Sequence, residues 1–515
     1  MKRPFICLVL ATLVAGACSS GDSDKGSSGG GGGAAASPFA PAPPAGSETI
    51  PVEPGSYNYS PAVIDEGKVI KAWWCSAVPD AATDNIWYQE YDKATKKASN
   101  RRSVLQVGRT GDWDTFGVCH PSVIRGSWPG APGGGEFTYA LYYTSTNVAQ
   151  GGGSNNSTGV VFSTDGITWS GQHDRYNPMI KQKVKNVPGT YGAGLPSAWS
   201  RGGSAVTLFW IDTTAVKTDD PASPDGYRSQ AVVADSADGK KFDPPRTISQ
   251  NGAPAYWKND FAFDDSTQPA MVYSAQAATF RAGKGKDDKN ETYNFGLFRI
   301  PMQDLLSGGG TWEQLAVVDT NLTGLPLNFE PGLVRTGEGK IAGDVKKDGL
   351  GVWFGGGGQT PSSWALHAVS VDVDGGRMPL RRYSRKAGGA TSYWVTTGFV
   401  PAAFRTADPD PDVLGSLDIK AGTGLVPLYA CQRGPLTTTA SGELTGEGAD
   451  RFVSLDPCTG AEPLGVNGYL FSAAPSGEKT KPLYACKDGQ AQFVSNDAKC
   501  DGKAVERLLG YARSE

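Results

Sequence analysis

Tyr57-Asn-Tyr-Ser-Pro-Ala-Val-Ile64 decides the fold, because a short polar or aromatic cluster leading into a strand returns four more times along the chain. The later openings are Cys119-His-Pro-Ser-Val-Ile124, Gly194-Leu-Pro-Ser-Ala-Trp199, Asn259-Asp-Phe-Ala-Phe263 and Phe329-Glu-Pro-Gly-Leu-Val334. An aromatic-rich strand follows each opening (KAWWCS, YALYYTST, VTLFWIDT, AMVYSA, GVWFGG), and a third strand follows that (NIWYQEY, GVVFSTDG, QAVVADSADG, NFGLFRI, WALHAVSVD). The prolines at 61, 121, 196 and 331 lie 60, 75 and, across two units, 135 residues apart, a regular repeat with variable loops. A three- or four-stranded sheet cannot bury both of its faces alone, so such units stack radially. The expected fold is all-β: a five-bladed β-propeller over residues 50–388. Five matching strand triplets argue against a pair of β-sandwiches.

Ser163-Thr-Asp-Gly-Ile-Thr-Trp169 and Ser236-Ala-Asp-Gly-Lys-Lys-Phe242 share the pattern S-x-D-G-x-x-aromatic. Asp-Gly supplies a hairpin turn and the aromatic packs back on its blade. Recurrence in two repeats makes this scaffold. Trp73, Trp74, Trp210 and Trp353 are read as packing between blades.

Beyond the repeats the pattern changes, and residues 389–515 are expected to form a separate β-module. Pro427-Leu-Tyr-Ala-Cys431 returns as Pro482-Leu-Tyr-Ala-Cys486, and Phe452-Val-Ser-Leu-Asp-Pro-Cys458 returns as Phe493-Val-Ser-Asn-Asp-Ala-Lys-Cys500. Matching positions suggest the disulfides Cys431–Cys458 and Cys486–Cys500. A weaker first unit, from Tyr393 to Leu417, gives the module a pseudo-threefold plan.

The ends bound the location. Lys2 and Arg3 precede an apolar run, Pro4–Ala17, that is too short to span a membrane, so residues 1–17 read as a signal peptide. Cys18 after Ala15-Gly16-Ala17 resembles the lipobox of bacterial lipoproteins, which implies lipidation at Cys18 and attachment to the membrane through that anchor only. Residues 18–49 are rich in Ser, Gly, Ala and Pro, the composition of a flexible tether. Ser19 is not acidic, which favours the outer membrane within an exported, cell-envelope location. The formal charge of −4 with no long basic run excludes nucleic acid as the expected partner. Of eight cysteines, Cys7 lies in the leader and Cys18 at its end, and an even remainder in an exported protein implies disulfides. Cys75 and Cys119, in successive repeats, are placed to pin blade one to blade two.

The same position in each repeat gives Ser60, His120, Leu195, Asp260 and Glu330 as the residues facing the propeller axis. Two carboxyl groups facing one site can divide acid and base work, one donating a proton and the other accepting one or activating water. Asp260 as base and Glu330 as acid is the pair that this alignment offers. His120 is read as a general acid, as a ligand for a channel cation such as calcium, or as a hydrogen-bond donor. No other cofactor is implied. The loops that enter the strands carry Tyr57, Tyr59, Trp113, Asp114, Tyr191 and Trp257, whose rings and polar groups suit sugar faces and hydroxyls.

SPAVI, KAWWCS, CHPSVI, YALYYTST and FSTDGITW together resemble the five-bladed propeller glycoside hydrolases, the clan of arabinanases, β-xylosidases and fructosidases. The resemblance covers about two-thirds of the chain and rests on blade motifs, which speak for fold more than for chemistry. It implies a glycan as substrate or ligand. Two positions depart from the enzymes' pattern: Ser60 stands where the first blade commonly carries the acidic base, and His120 where relatives usually carry Asp. The function expected is therefore a glycan-binding, glycoside hydrolase-like propeller, with a catalytically silent lectin-like or protein-interaction propeller as the alternative.

Overall fold

The structure is a computed structural model that describes residues 48–50, 57–77, 83–147, 155–183, 191–217, 227–249, 251–252, 259–278, 294–358, 364–373, 376–439, 443–447 and 450–514. Cys18, with the expected leader and most of the tether, lies outside the described residues, as does Trp257. No helix among the described residues is long and apolar enough to cross a membrane.

Strand β1 (Glu48–Ile50) precedes five antiparallel units. The first contains β2 (Tyr57–Asp65), β3 (Val69–Ala77), β4 (Asp84–Asp92) and β5 (Lys97–Leu105). The second contains β6 (Gly117–Trp128), β7 (Phe137–Thr146) and β8 (Ser157–Ser163). The third contains β9 (Ala193–Ser200), β10 (Val206–Lys217), β11 (Tyr227–Ser236) and β12 (Arg246–Thr247). The fourth contains β13 (Asn259–Asp264), β14 (Met271–Ala278), β15 (Asn294–Pro301) and β16 (Glu313–Val318). The fifth contains β17 (Leu327–Arg335), β18 (Leu350–Gly357) and β19 (Ala365–Val371). Inner strands touch in the order β2, β6, β9, β13, β17 and back to β2, so the units surround one axis as a propeller. β1 supplies the outer strand of the last blade, pairing Thr49 with His367, and so ties the start of the ring to its end.

Apolar clusters fill each joint between blades, as the radial plan requires. Trp73 and Trp74 are adjacent in β3 and point to opposite faces, as successive strand residues must. Trp73 enters the cluster against blade two with Tyr139 and Leu141, whereas Trp74 enters the one against blade five with Trp353. Trp210 joins Ile124 and Tyr142 between blades two and three. The two Asp-Gly hairpins act as clasps. Trp73 Nε1 donates to the Gly166 carbonyl at 2.8 Å, and Tyr142 Oη donates to the Gly239 carbonyl at 2.9 Å. Gly166 and Gly239 have φ of 79° and 71°, which only a residue without Cβ adopts without strain.

Residues 377–513 build the second sheet system. Its three units are β20 (Arg377–Ala387), β21 (Ala390–Thr396) and β22 (Asp412–Asp418); then β23 (Leu425–Arg433), β24 (Asp450–Ser454) and β25 (Glu462–Phe471); then β26 (Thr480–Asp488), β27 (Ala491–Ser495) and β28 (Ala504–Arg513). In each unit the first strand pairs with the other two, and β22, β25 and β28 touch one another around a local threefold. Leu380, Leu428 and Leu483 occupy equivalent positions in the common core. Cys431–Cys458 and Cys486–Cys500 are bonded, as is Cys75–Cys119.

Two strands fall across the boundaries expected from sequence. Glu48 and Thr49 lie in the stretch assigned to the tether but pair, with Ile50, into blade five. Arg377–Ala387 lies in the stretch assigned to the propeller but is the first strand of the C-terminal module. Its opening Pro379-Leu380 matches Pro427-Leu428 and Pro482-Leu483, with Tyr383 where the other units carry a cysteine.

Candidate active site

Four of the five aligned positions share one backbone geometry. Ser60, His120, Leu195 and Glu330 each precede a proline and have φ of 54°, 50°, 58° and 45°. At each of them the pairing of the inner strand with its neighbour slips register. Left-handed backbone at a non-glycine residue costs on the order of 1–3 kcal/mol and persists where the surroundings impose it. The bulge re-aims these side chains. His120 and Glu330 come from blades two and five, with blade one between them, yet His120 Nε2 lies 3.2 Å from Glu330 Oε2. They meet across the axis.

The pair is tightly framed. Tyr191 Oη is 3.2 Å from His120 Nδ1, the ring nitrogen away from Glu330. The backbone N–H of His120 donates to Cys75 Sγ at 2.8 Å, which places the Cys75–Cys119 disulfide directly behind the imidazole. Closing a loop of this length contributes about 4 kcal/mol in the chain-entropy description. Tyr59 Oη lies 3.2 Å from Cys119 Sγ and donates to Asp84 Oδ2 at 2.8 Å. Tyr57 stacks on Tyr59 with ring centroids 4.3 Å apart, and Trp364 lies 5.2 Å from both Tyr57 and Phe329.

Asp84 is the acidic residue that repeat alignment could not find, since it opens the third strand of blade one. Burial, with the Glu330 charge adding to it, pushes its carboxyl up to about 6, against the opposing Tyr59 hydrogen bond. Burial and then the Glu330 charge also raise the Tyr191 phenol well above its ordinary value. Burial, followed by the Asp84 charge, does the same to Tyr59. The Glu330 charge is thus felt at Asp84, Tyr59 and Tyr191.

Asp260 does not belong to this group, contrary to the sequence expectation. Blade four has no proline after Asp260, its pairing with β14 runs without a slip, and the side chain stays within the interblade packing. Oδ1 accepts from Ser197 Oγ at 2.7 Å and lies 3.2 Å from Arg335 Nη1, while Oδ2 accepts from the Leu333 N–H at 2.8 Å. Both oxygens are thus engaged in joining blades three, four and five.

Trp113 and Asp114 are likewise corrected from sugar binding to packing. Trp113 packs against Tyr143 at 5.4 Å in the joint between blades one and two. Asp114 is fully buried and accepts from Tyr143 Oη and Gln172 Nε2. Tyr57, Tyr59 and Tyr191 are brought to the axis group, with Tyr57 and Tyr191 partly exposed. Among the described residues, no three His, Cys, Asp or Glu side chains gather as metal ligands.

No protein-family model matches the chain, and no curated protein matches its sequence. Among solved structures, 111 chains match it. Glycoside hydrolases are among these structural neighbours. A thermostable family-43 glycoside hydrolase is 11% identical with a TM-score of 0.40, over 69% of this chain and 99% of that one. The catalytic domain of a GH62 α-L-arabinofuranosidase from Coprinopsis cinerea is 14% identical with a TM-score of 0.38, over 63% of this chain and 96% of its own. An α-L-arabinofuranosidase from Podospora anserina, solved in complex with cellotriose, is 12% identical with a TM-score of 0.40, over 64% of this chain and 94% of its own. Similarity at this level carries no inference about activity, which has to come from the axis group itself.

Proposed function

We propose that the axis is a glycan site at which His120 and Glu330 exchange protons with the bound sugar. The observation that carries this reading is the 3.2 Å approach of His120 Nε2 to Glu330 Oε2 across the axis, beside partly exposed Tyr57 and Tyr191. Imidazole and carboxylate are side chains suited to general acid–base work, and aromatic rings nearby suit the apolar face of a sugar. Asp84, held partly neutral near pH 6, replaces Asp260 as the second carboxyl that hydrolysis requires. Lipidation at Cys18, within an outer-membrane location, would present this site at the cell envelope. A site that binds glycan without cutting it is the second reading. It is favoured by the low exposure of Glu330 and Asp84, 4% and 3%.

Glycan-array binding tests the shared part of both readings. Native protein is expected to bind a defined set of plant or microbial oligosaccharides, and Tyr57→Ala to weaken that binding at least tenfold. Array binding unchanged by Tyr57→Ala would remove the aromatic platform from the account.

A further inference from the structure

Blade four and the C-terminal module, chiefly its second unit, line a partly open cavity of about 1020 Å³. That is the upper end of the range for small-molecule sites. Its lining shares no residue with the axis group. On the propeller side the wall is β16 with Asp319 and Leu322, and on the module side it is Tyr429, Tyr469 and the loop 457–461.

Two features give this cavity the chemistry of a polar ring. Gly465 and Gly468, also in its lining, serve packing instead, because a Cβ at Gly465 would collide with the Asp319 carboxylate and one at Gly468 with the Asp418 carbonyl. Tyr469 and Tyr429 both lie in the lining, on paired strands, and burial, ahead of the neighbouring Tyr429, raises the Tyr469 phenol. Asn294 Oδ1 is buried and has no hydrogen-bond partner among the described residues. Charge argues against an anionic guest. Lys420 pairs with Glu313 at 2.7 Å, and the other charged lining groups, Asp319 and Asp372, are acidic.

The module's internal symmetry supplies a second argument. Tyr429 and Tyr469 recur at the same strand positions in the third unit as Tyr484 and Tyr511, since Pro427 pairs with Tyr469 as Pro482 pairs with Tyr511. The first unit carries Arg381 and Ser416 instead. A tyrosine pair is thus a repeated surface of the module, and the propeller closes over one copy of it.

We propose that this interdomain cavity is a second, separate site for a neutral saccharide, with Tyr469 and Tyr429 as its aromatic face and Asn294 as a hydroxyl partner. The ligand class follows from the lining alone and does not depend on the reading of the axis.

Isothermal titration of the full chain with neutral trisaccharides (xylotriose, cellotriose, maltotriose and arabinotriose) tests it. The native protein is expected to bind at least one of them with a stoichiometry of two. Tyr469→Ala, and independently Thr459→Trp, which plugs the cavity from an exposed loop position, should each leave one site. Tyr57→Ala should remove only the other. A native stoichiometry of one that Tyr57→Ala abolishes, with Tyr469→Ala and Thr459→Trp unchanged, would overturn the cavity site and leave the axis site standing. One site lost in Tyr469→Ala and Thr459→Trp but kept in Tyr57→Ala would support the cavity and count against the axis. Binding of none of the four would overturn the cavity proposal.

Discussion

Asp260→Ala is expected to lower the unfolding free energy by about 3–5 kcal/mol, the scale for breaking a buried ion pair from one side. The reason is Arg335, a buried side chain that reaches from blade five into three other blades. Its Nη1 donates to the Phe261 carbonyl at 3.0 Å and to Ser197 Oγ at 3.3 Å, and its Nη2 donates to Ser122 Oγ at 3.3 Å. Removing Asp260 leaves this guanidinium uncompensated in a site that is 1% exposed. Arg335→Ala should cost a similar amount. The double change Asp260→Leu with Arg335→Met should recover much of the loss, because two apolar groups leave no orphaned charge. Urea unfolding curves of the four proteins check this. A base acting on substrate would behave differently: Asp260→Ala would then abolish activity with stability intact.

Acid should stabilise the protein between roughly pH 4 and pH 7. Asp319 sits where the short helix Thr320–Thr323 meets the C-terminal module, accepting from the Leu322 N–H at 2.9 Å and from the Val466 N–H at 3.2 Å. Burial, only partly offset by these bonds and by the Arg451 charge, raises its carboxyl to about 7. The folded protein therefore keeps a proton on Asp319 that the unfolded chain loses near pH 4. Stability is fully present below that pH and is lost as pH rises toward 7. A shift of this size corresponds to about 4 kcal/mol, and Asp84 adds about 3 kcal/mol between pH 4 and pH 6 by the same sign. Asp319→Asn should flatten the upper part of the profile while lowering its ceiling, since an amide cannot accept from both N–H groups. Urea midpoints measured from pH 4 to pH 8 decide the matter. A native profile that rises with pH across this window would contradict the assigned burial.

How much of this was legible in the sequence depends on whether a feature repeats. The inner-strand bulge is written as a residue followed by proline, and at 60, 120, 195 and 330 that dipeptide marks both the slip in pairing and the left-handed backbone. Asp260 is followed by Phe261, so the missing proline was the available sign that its side chain would not join the others. Asp84 carries no repeat signature, and only its burial against Tyr59 and its coupling to Glu330 reveal it. The matching cysteines of the module were readable as pairs, whereas its first unit was entered one strand late because Tyr383 interrupts the cysteine pattern. β1 is three residues long and has no periodicity to read, so its pairing with β19 depends on the closing of the ring.

Hydrolysis of a panel of aryl glycosides and plant or microbial polysaccharides, compared between the native protein and Glu330→Gln, tests the axis site most directly. The account predicts turnover by the native protein that falls at least a thousandfold in Glu330→Gln, with array binding largely kept in the variant. Equal turnover by both proteins would contradict it, because the group facing His120 would then play no part in the chemistry.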